Sequence, residues 1–235
     1  MRKLSWGGAV LLLVLSAAWA QDLRDGLVAW YPADEGQGTL LHDIVGGHNG
    51  RIRGAQWVRQ GPYCALDFDG LANYVDCGDP IPLRLAESSL TLSLWVRVNR
   101  PCQQYLITRY GWSLYLDGGL VPHFEARSEA NDAWQALPGR GALPLNEWTM
   151  LTGTFDRQVG EWRLYRNGVL ESQGARQGNF GGIYRSRLAL GGWAWTQTHY
   201  LNGLLRDVRL YNRALPPEQV KALYEAGRGK VAADL

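Results

Sequence analysis

The nonapeptide LTLSLWVRV, residues 90–98, alternates without a slip. Leu90, Leu92, Leu94, Val96 and Val98 fall on one side of an extended chain, and Thr91, Ser93, Trp95 and Arg97 on the other, because successive strand side chains point to opposite faces. Five apolar side chains in a row on one face require a second sheet packed over them. Short runs of the same kind recur along the chain, rich in β-branched and aromatic residues and separated by Gly, Pro, Asn or Asp. They are LVAWY (27–31), GRIRG (50–54), CALDF (64–68), NYVDC (73–77), QYLITRY (104–110), GWSLYLD (111–117), LVPHFEAR (120–127), DAWQAL (132–137), EWTMLTGTF (147–155), EWRLYRN (161–167), RLALG (187–191) and LLRDVRLY (204–211). The rhythm is that of an all-β sandwich.

One helix is expected, in RALPPEQVKALYEAG (213–227). Pro216 or Pro217 suits its first turn, Glu218 its positive end, and Gly227 its stop, while Val220, Leu223 and Tyr224 make its apolar stripe. No repeat or low-complexity linker interrupts residues 27–226, so residues 21–235 read as a single domain.

Residues 1–20 read as a separate object. Arg2 and Lys3 precede the apolar run LSWGGAVLLLVLSAAW, and Ala18-Trp19-Ala20 fits a small-residue cleavage site, the pattern of a signal peptide. The expectation is export, with the mature chain starting at Gln21 and residing in a periplasm or outside the cell. The apolar run falls short of the roughly 20 residues that span a bilayer comfortably, and no later stretch is long and apolar enough. Of 24 basic side chains the leader removes two, leaving 24 − 2 = 22 against 22 acidic ones. That balance, without a Lys/Arg cluster, argues against nucleic acid as a partner.

Cys64, Cys77 and Cys102 are an odd set for an oxidising compartment. YCALDF and NYVDCG read as a hairpin around Asp69-Gly70, which makes Cys64 and Cys77 the pair to bridge; the alternative is two small buried hydrophobes.

Taken in order, AWYPADEGQGTLLHDIVGGHNG, ALDFDGLANYVDCGD, LTLSLWVRV, WSLYLDGG, LNEWTMLTGTFD, WRLYRNGVL, LALGG and NGLLRDVRLYNRALPPEQVKALYE resemble the laminin-G-like, concanavalin A-like lectin/glucanase superfamily. The resemblance covers essentially the whole chain after the leader. It implies an antiparallel two-sheet jelly-roll sandwich with a short C-terminal helix, a fold shared by lectins, laminin modules and some glycoside hydrolases, so fold does not decide function. It also implies two acids after the last glycine, where this chain has Gly203-Leu204-Leu205-Arg206-Asp207-Val208-Arg209. In relatives that strand lies near the N-terminal Asp-Glu-Gly turn, often with calcium, for which Asp34, Asp43 and Asp207 would be the oxygen donors here. Calcium wants six to eight oxygens, so Arg206 puts a like charge where a ligand belongs. The expectation is that its guanidinium replaces the ion, bonded to Asp34, Glu35 or Asp43. Asp67, Asp69 and Asp76 are oxygen sources for calcium elsewhere, or ordinary turn and strand-edge residues.

A retaining glucanase needs two carboxylates about 5 Å apart. Relatives of that kind supply them as Glu-x-Asp-x-Glu, which this chain lacks. HFEARSEAND comes nearest, with Glu125 and Glu129 flanking Arg127, and His123, Glu125 and Arg127 sharing a strand face; Glu125 is the acid to test if the protein is a hydrolase. His42, His48, His123 and His199 make no metal-binding spacing.

The aromatic residues carry the remaining signal. GGWAWTQTHYLNG (191–203) offers Trp193, Trp195 and Tyr200 as platforms for sugar C–H faces, with Gln197, His199 and Asn202 as polar partners. Capping of the sandwich edge is the competing role for the two indoles. Arg109, Tyr110 and Trp112 form a second cluster, and Trp134 a third. The leading expectation is a non-catalytic binding domain for carbohydrate or a glycosylated surface. A protein-adhesion or envelope-scaffold module is the alternative, and a divergent glycosidase the third.

Overall fold

Both faces of the nonapeptide turn out to be buried, and accounting for each face gives the architecture. The computed structural model describes residues 23–79, 88–128, 133–175, 187–192 and 198–231. Among these residues the strands are β1 (Leu27–Tyr31), β2 (Leu40–Leu41), β3 (Gly50–Arg53), β4 (Gln56–Gln60), β5 (Tyr63–Asp69), β6 (Tyr74–Asp76), β7 (Leu90–Val98), β8 (Gln104–Arg109), β9 (Trp112–Leu116), β10 (Pro122–Arg127), β11 (Trp134–Pro138), β12 (Trp148–Asp156), β13 (Glu161–Arg166), β14 (Val169–Ala175), β15 (Ala189–Leu190) and β16 (Asn202–Tyr211), with one helix, α1 (Pro217–Val231). The first sheet has the order β14-β13-β12-β7-β16-β5-β4, with β1 paired to β16. The second runs β11-β10-β9-β8-β15-β6-β3-β2. All pairings are antiparallel.

The apolar face of β7 meets the second sheet: Leu90, Leu92, Leu94, Val96 and Val98 share one core with Leu106, Ile107, Leu114, Leu116, Phe124 and Leu190. The sheets approach so closely at Gly153 of β12 that a Cβ there would lie 2.8 Å from Phe124 Cγ. Only hydrogen fits, and the ring packs on bare backbone. On the reverse face of β7, the Ser93 and Thr152 hydroxyls bond at 2.9 Å. Thr91 Oγ1 donates to the Arg213 carbonyl (2.7 Å) and accepts from the Leu215 N–H (2.9 Å), which fastens the approach to the helix.

Helix α1 covers this reverse face. Val220 and Leu223 join Trp95, Met150, Tyr165, Tyr211 and Leu215 in a second cluster. Tyr224 stacks on Trp95 with ring centroids 5.6 Å apart. The expected stripe is therefore the buried one, but the expected stop is wrong: the helix runs through Gly227 to Val231. Gly227 serves contact rather than termination, since a Cβ there would sit 2.5 Å from Trp95 Nε1.

The hairpin reading of residues 63–77 also fails. β5 lies in the first sheet and β6 in the second. Asp69 accepts the Leu71 N–H at 2.8 Å, so the Asp69-Gly70 turn carries the chain between sheets rather than back along one. Cys64 and Cys77 are free, buried thiols, not a bridge. Burial pushes the Cys77 thiol up to about 12. Asp76 pairs with Arg187 and accepts the Gly78 N–H at 3.0 Å.

The glycines of α1 give a paired test. A helix-interior glycine costs about 1 kcal/mol against alanine, so Gly229→Ala, with open space around its Cβ, should raise the melting temperature slightly. Gly227→Ala makes the same propensity change but forces overpacking of about 1–3 kcal/mol against Trp95. Thermal melts should show the two alanines moving stability in opposite directions; equal gains would place α1 off the Trp95 face.

Candidate ligand-binding face

The outward face of the second sheet carries rings and polar groups where the first sheet carries a helix. Cross-strand partners share a face, so register alone lays out three rows. His123, Tyr115 and Tyr105 are aligned across β10, β9 and β8. Glu125, Ser113 and Thr108 form the next row, and Arg127 stands opposite Trp134 in the third.

The first row is a continuous stack. His123 lies on Tyr115 at 4.9 Å and Tyr115 on Tyr105 at 5.0 Å, and the His199 ring follows at 6.1 Å from Tyr105. Asp117 Oδ2 meets His123 Nε2 at 3.2 Å and so fixes the end of the stack. In the third row the Arg127 guanidinium lies 4.6 Å over the Tyr110 ring, which meets Trp134 edge-on at 6.1 Å. Trp134 is 38% exposed. Between these aromatic walls lies a small pocket lined by Tyr105, Thr108, Arg109, Tyr110, Ser113, Glu125 and Trp134.

Glu125 is the carboxylate of that pocket. The Ser113 hydroxyl donates to its Oε1 at 2.5 Å. Burial nevertheless holds the Glu125 carboxyl above its ordinary value, with hydrogen bonds from Ser113 and Tyr105 and the charge of His123 pulling the other way without cancelling it. The Tyr115 phenol is pushed up to about 12 by burial, then by the charges of Glu125 and Asp117. For Asp117, burial works to raise the carboxyl, but donors from Val121, His123 and Gly119 outweigh it and leave it below the usual range. Arg109 Nη2 lies 2.7 Å from Asp79 Oδ1.

Several sequence expectations land here and others do not. His123, Glu125 and Arg127 share the face as alternation required, and Arg109, Tyr110 and Trp134 join them. Trp112 does not: it is 2% exposed and belongs to the core, inward with Leu114 and Leu116. The same alternation sends Ser113 and Tyr115 outward, and neither they nor Tyr105 were expected. Tyr200 is no platform, being 8% exposed and packed towards Tyr74 at 6.3 Å. Asn202 is occupied structurally; its Nδ2 donates to the Asp69 carbonyl (2.8 Å) and its N–H to Gln104 Oε1 (2.9 Å). His199 is exposed, with φ +56°. Trp193, Trp195, Gln197 and Glu129 lie outside the described residues.

Asp34, Asp43 and Asp207 each accept donors from the protein itself. Asp43 Oδ1 accepts the N–H groups of Trp30 (2.9 Å), Val45 (3.1 Å) and Gly46 (3.0 Å), and its Oδ2 that of His48 (3.1 Å). Asp207 accepts Trp30 Nε1 at 2.6 Å and Arg209 Nε at 2.9 Å. Asp34 receives Arg206 Nη2 at 2.8 Å, and the same guanidinium, 2% exposed, lies 4.9 Å from the Tyr63 ring. With a fixed cation already placed, and no group of three acidic, His or Cys side chains fit for a metal among the described residues, these residues do not fit calcium.

Comparison with known proteins agrees with the architecture. A family model described as the concanavalin A-like lectin/glucanases superfamily matches residues 69–221. No curated protein matches the chain in sequence. Among solved structures, the binding domain of Paraclostridial mosquitocidal protein 1 superposes with a TM-score of 0.71 at 17% identity, over 87% of this chain and 53% of that one. The binding domain of botulinum neurotoxin DC in complex with SialylT gives 0.64 at 17%, over 87% and 52%. Domain 4 of a GH43 extracellular arabinanase from Geobacillus stearothermophilus, in complex with arabinotriose, gives 0.65 at 21%, over 84% and 98%. The chain thus spans about half the length of the toxin binding domains, and at these identities the likeness is one of fold.

The Arg206–Asp34 pair predicts how the protein answers to calcium. Its melting temperature should be the same in calcium and in excess chelator, and Arg206→Met should lower it by about 1–3 kcal/mol equivalent through a lost charge-assisted bond and lost packing. A rise of several degrees on adding calcium to the wild type would contradict this.

Proposed function

The chain belongs to the concanavalin A-like lectin/glucanase superfamily, and from that premise we propose that it is a non-catalytic carbohydrate-binding module, holding a glycan on the outward face of its second sheet. One observation carries the reading: two aromatic walls, Tyr105–Tyr115–His123 and Tyr110–Trp134, flank a polar pocket on the sheet face opposite the helix-covered one. Sugars combine apolar C–H faces with rings of hydroxyls, so flat rings beside acceptors and donors match both halves of their surface. The arabinotriose complex of the arabinanase domain and the SialylT complex of the toxin domain, both of this fold, support it.

The proposal also counts Trp193, Trp195 and Gln197 among the binding residues, on their residue types alone. Their segment follows Gly192, whose carbonyl accepts the Thr108 hydroxyl at the pocket (3.1 Å). The leader pattern of residues 1–20 supports binding outside the cytoplasm, where polysaccharides and glycosylated surfaces are met. Both glycosidase geometries need a second carboxylate, and among the described residues lining the pocket Glu125 is the only acid, which supports the non-catalytic reading.

The test is a glycan array followed by tryptophan fluorescence titration. Binding to a subset of glycans is expected, with Trp134→Ala weakening it about tenfold through loss of one stacking ring and the Trp193→Ala/Trp195→Ala double variant weakening it further. A blank array, together with recovery of one specific protein by pull-down, would replace this reading with the adhesion one.

A further inference from the structure

A second recess lies away from the glycan face, where β1 flanks the first sheet. Trp30 pairs with Arg209, which pairs with Ser93 on the reverse face of β7, so the indole stands on the helix-bearing side. The Arg209 guanidinium lies 4.3 Å over its ring and Asp207 accepts its Nε1 at 2.6 Å, which fixes the plane of the indole. β1 and the loop after β2 are tied both ways: the Trp30 N–H donates to Asp43 Oδ1 (2.9 Å), and the Ile44 N–H to the Trp30 carbonyl (3.0 Å). Asp43 Oδ1 also takes the Val45 N–H at 3.1 Å, so a bonded backbone holds the exposed Ile44 and Val45 in place. Ahead of β1, a turn closed by the Leu27 N–H on the Arg24 carbonyl (3.2 Å), with Gly26 at φ +69°, positions Arg24. Arg24, Leu27, Trp30, Ile44 and Val45 together line a cavity of about 290 Å³.

We propose that this cavity is a second ligand site, for a small free acid whose aromatic ring enters the cavity and whose carboxylate meets Arg24. Three aliphatic side chains and an indole take an apolar body. The volume sits at the lower end of the range for small-molecule sites, roughly 300–1,000 Å³, so it suits a single ring rather than an oligosaccharide. Of the lining residues Arg24 carries the charge, and a guanidinium takes a carboxylate on two parallel N–H donors. Acids on the same elements are engaged within the protein: Asp25 with Arg213 at 3.3 Å, Asp43 with backbone N–H groups, and Asp207 with Trp30 and Arg209. The site shares no lining residue with the glycan pocket, and it stands whether or not the carbohydrate reading holds.

Phenylpropionate, phenylpropanol and phenylpropylamine share one body and differ in charge. Calorimetric titration into the whole protein should rank them acid, alcohol, amine, with the acid about threefold to tenfold ahead of the alcohol. Arg24→Gln should bring acid and alcohol to within about twofold of each other. Ile44→Gln, which removes part of the apolar wall at an exposed position, should weaken all three about threefold and leave the glycan array unchanged. No saturable binding of the acid by the wild type, or a ranking other than acid first, overturns the proposal. So does an unchanged acid preference in Arg24→Gln or undiminished binding in Ile44→Gln. Tighter binding of acetyl-Gly-Phe than of phenylpropionate would assign the cavity to the end of a polypeptide chain, and the free acid would then be the wrong occupant. The wild-type ranking tests the proposal without either variant, and none of these outcomes depends on whether the array shows glycan binding.

Discussion

The structure depends on one packing constraint: β7 is buried on both sides, and each side needs a cover of its own. Its aliphatic face is covered by the second sheet, down to the Phe124 ring lying on the backbone of Gly153. Its reverse face is covered by α1, through Trp95, Tyr224 and a glycine that lets the helix come close. Two stacked sheets present four faces, of which two meet in the core and a third lies under the helix. The remaining face is the outward side of the second sheet, and the rings and polar groups collect there. The helix-covered face and the open, ring-bearing face thereby lie on opposite sides of the sandwich.

The strands that built the core were legible because they alternate or run apolar. β1 and β7 lie within the limits read from LVAWY and LTLSLWVRV, and most others differ by one or two residues. The strands that escaped are β2, β4 and β14, all sheet edges. QWVRQ and VLESQGA have little to bury and so carry no periodic signal, since an edge strand is defined by hydrogen bonds that sequence pattern does not encode. Pairing was also invisible: nothing local in YCALDFDGLANYVDC distinguishes a turn within one sheet from a crossing between two.

The site was half legible for the same reason. Glu125 and Arg127 could be placed on a shared strand face by counting, and Trp134 stood out as an isolated aromatic. Trp112 was misread because a tight β8–β9 turn brings it in opposite Ala126, which also turns Ser113 and Tyr115 outward. Tyr105 was missed because a register irregularity between Tyr105 and Ile107 lets Leu106 and Ile107 both point inward, breaking the period on which the count relies. Tyr200 could not be told from a surface ring without knowing that Gly192 gives it room to pack.

The placement of α1 has a further consequence. Leu23 packs into the same cluster as the helix, and its carbonyl accepts the Tyr211 hydroxyl at 3.0 Å, so the first described residue and the last element of the chain lie together on the covered side. An immobilisation tag, a fusion partner or a surface tether joined at either end would hold the module by its back. The rings on the uncovered sheet face would then look away from the support, and many copies fixed side by side would present that face in one common direction.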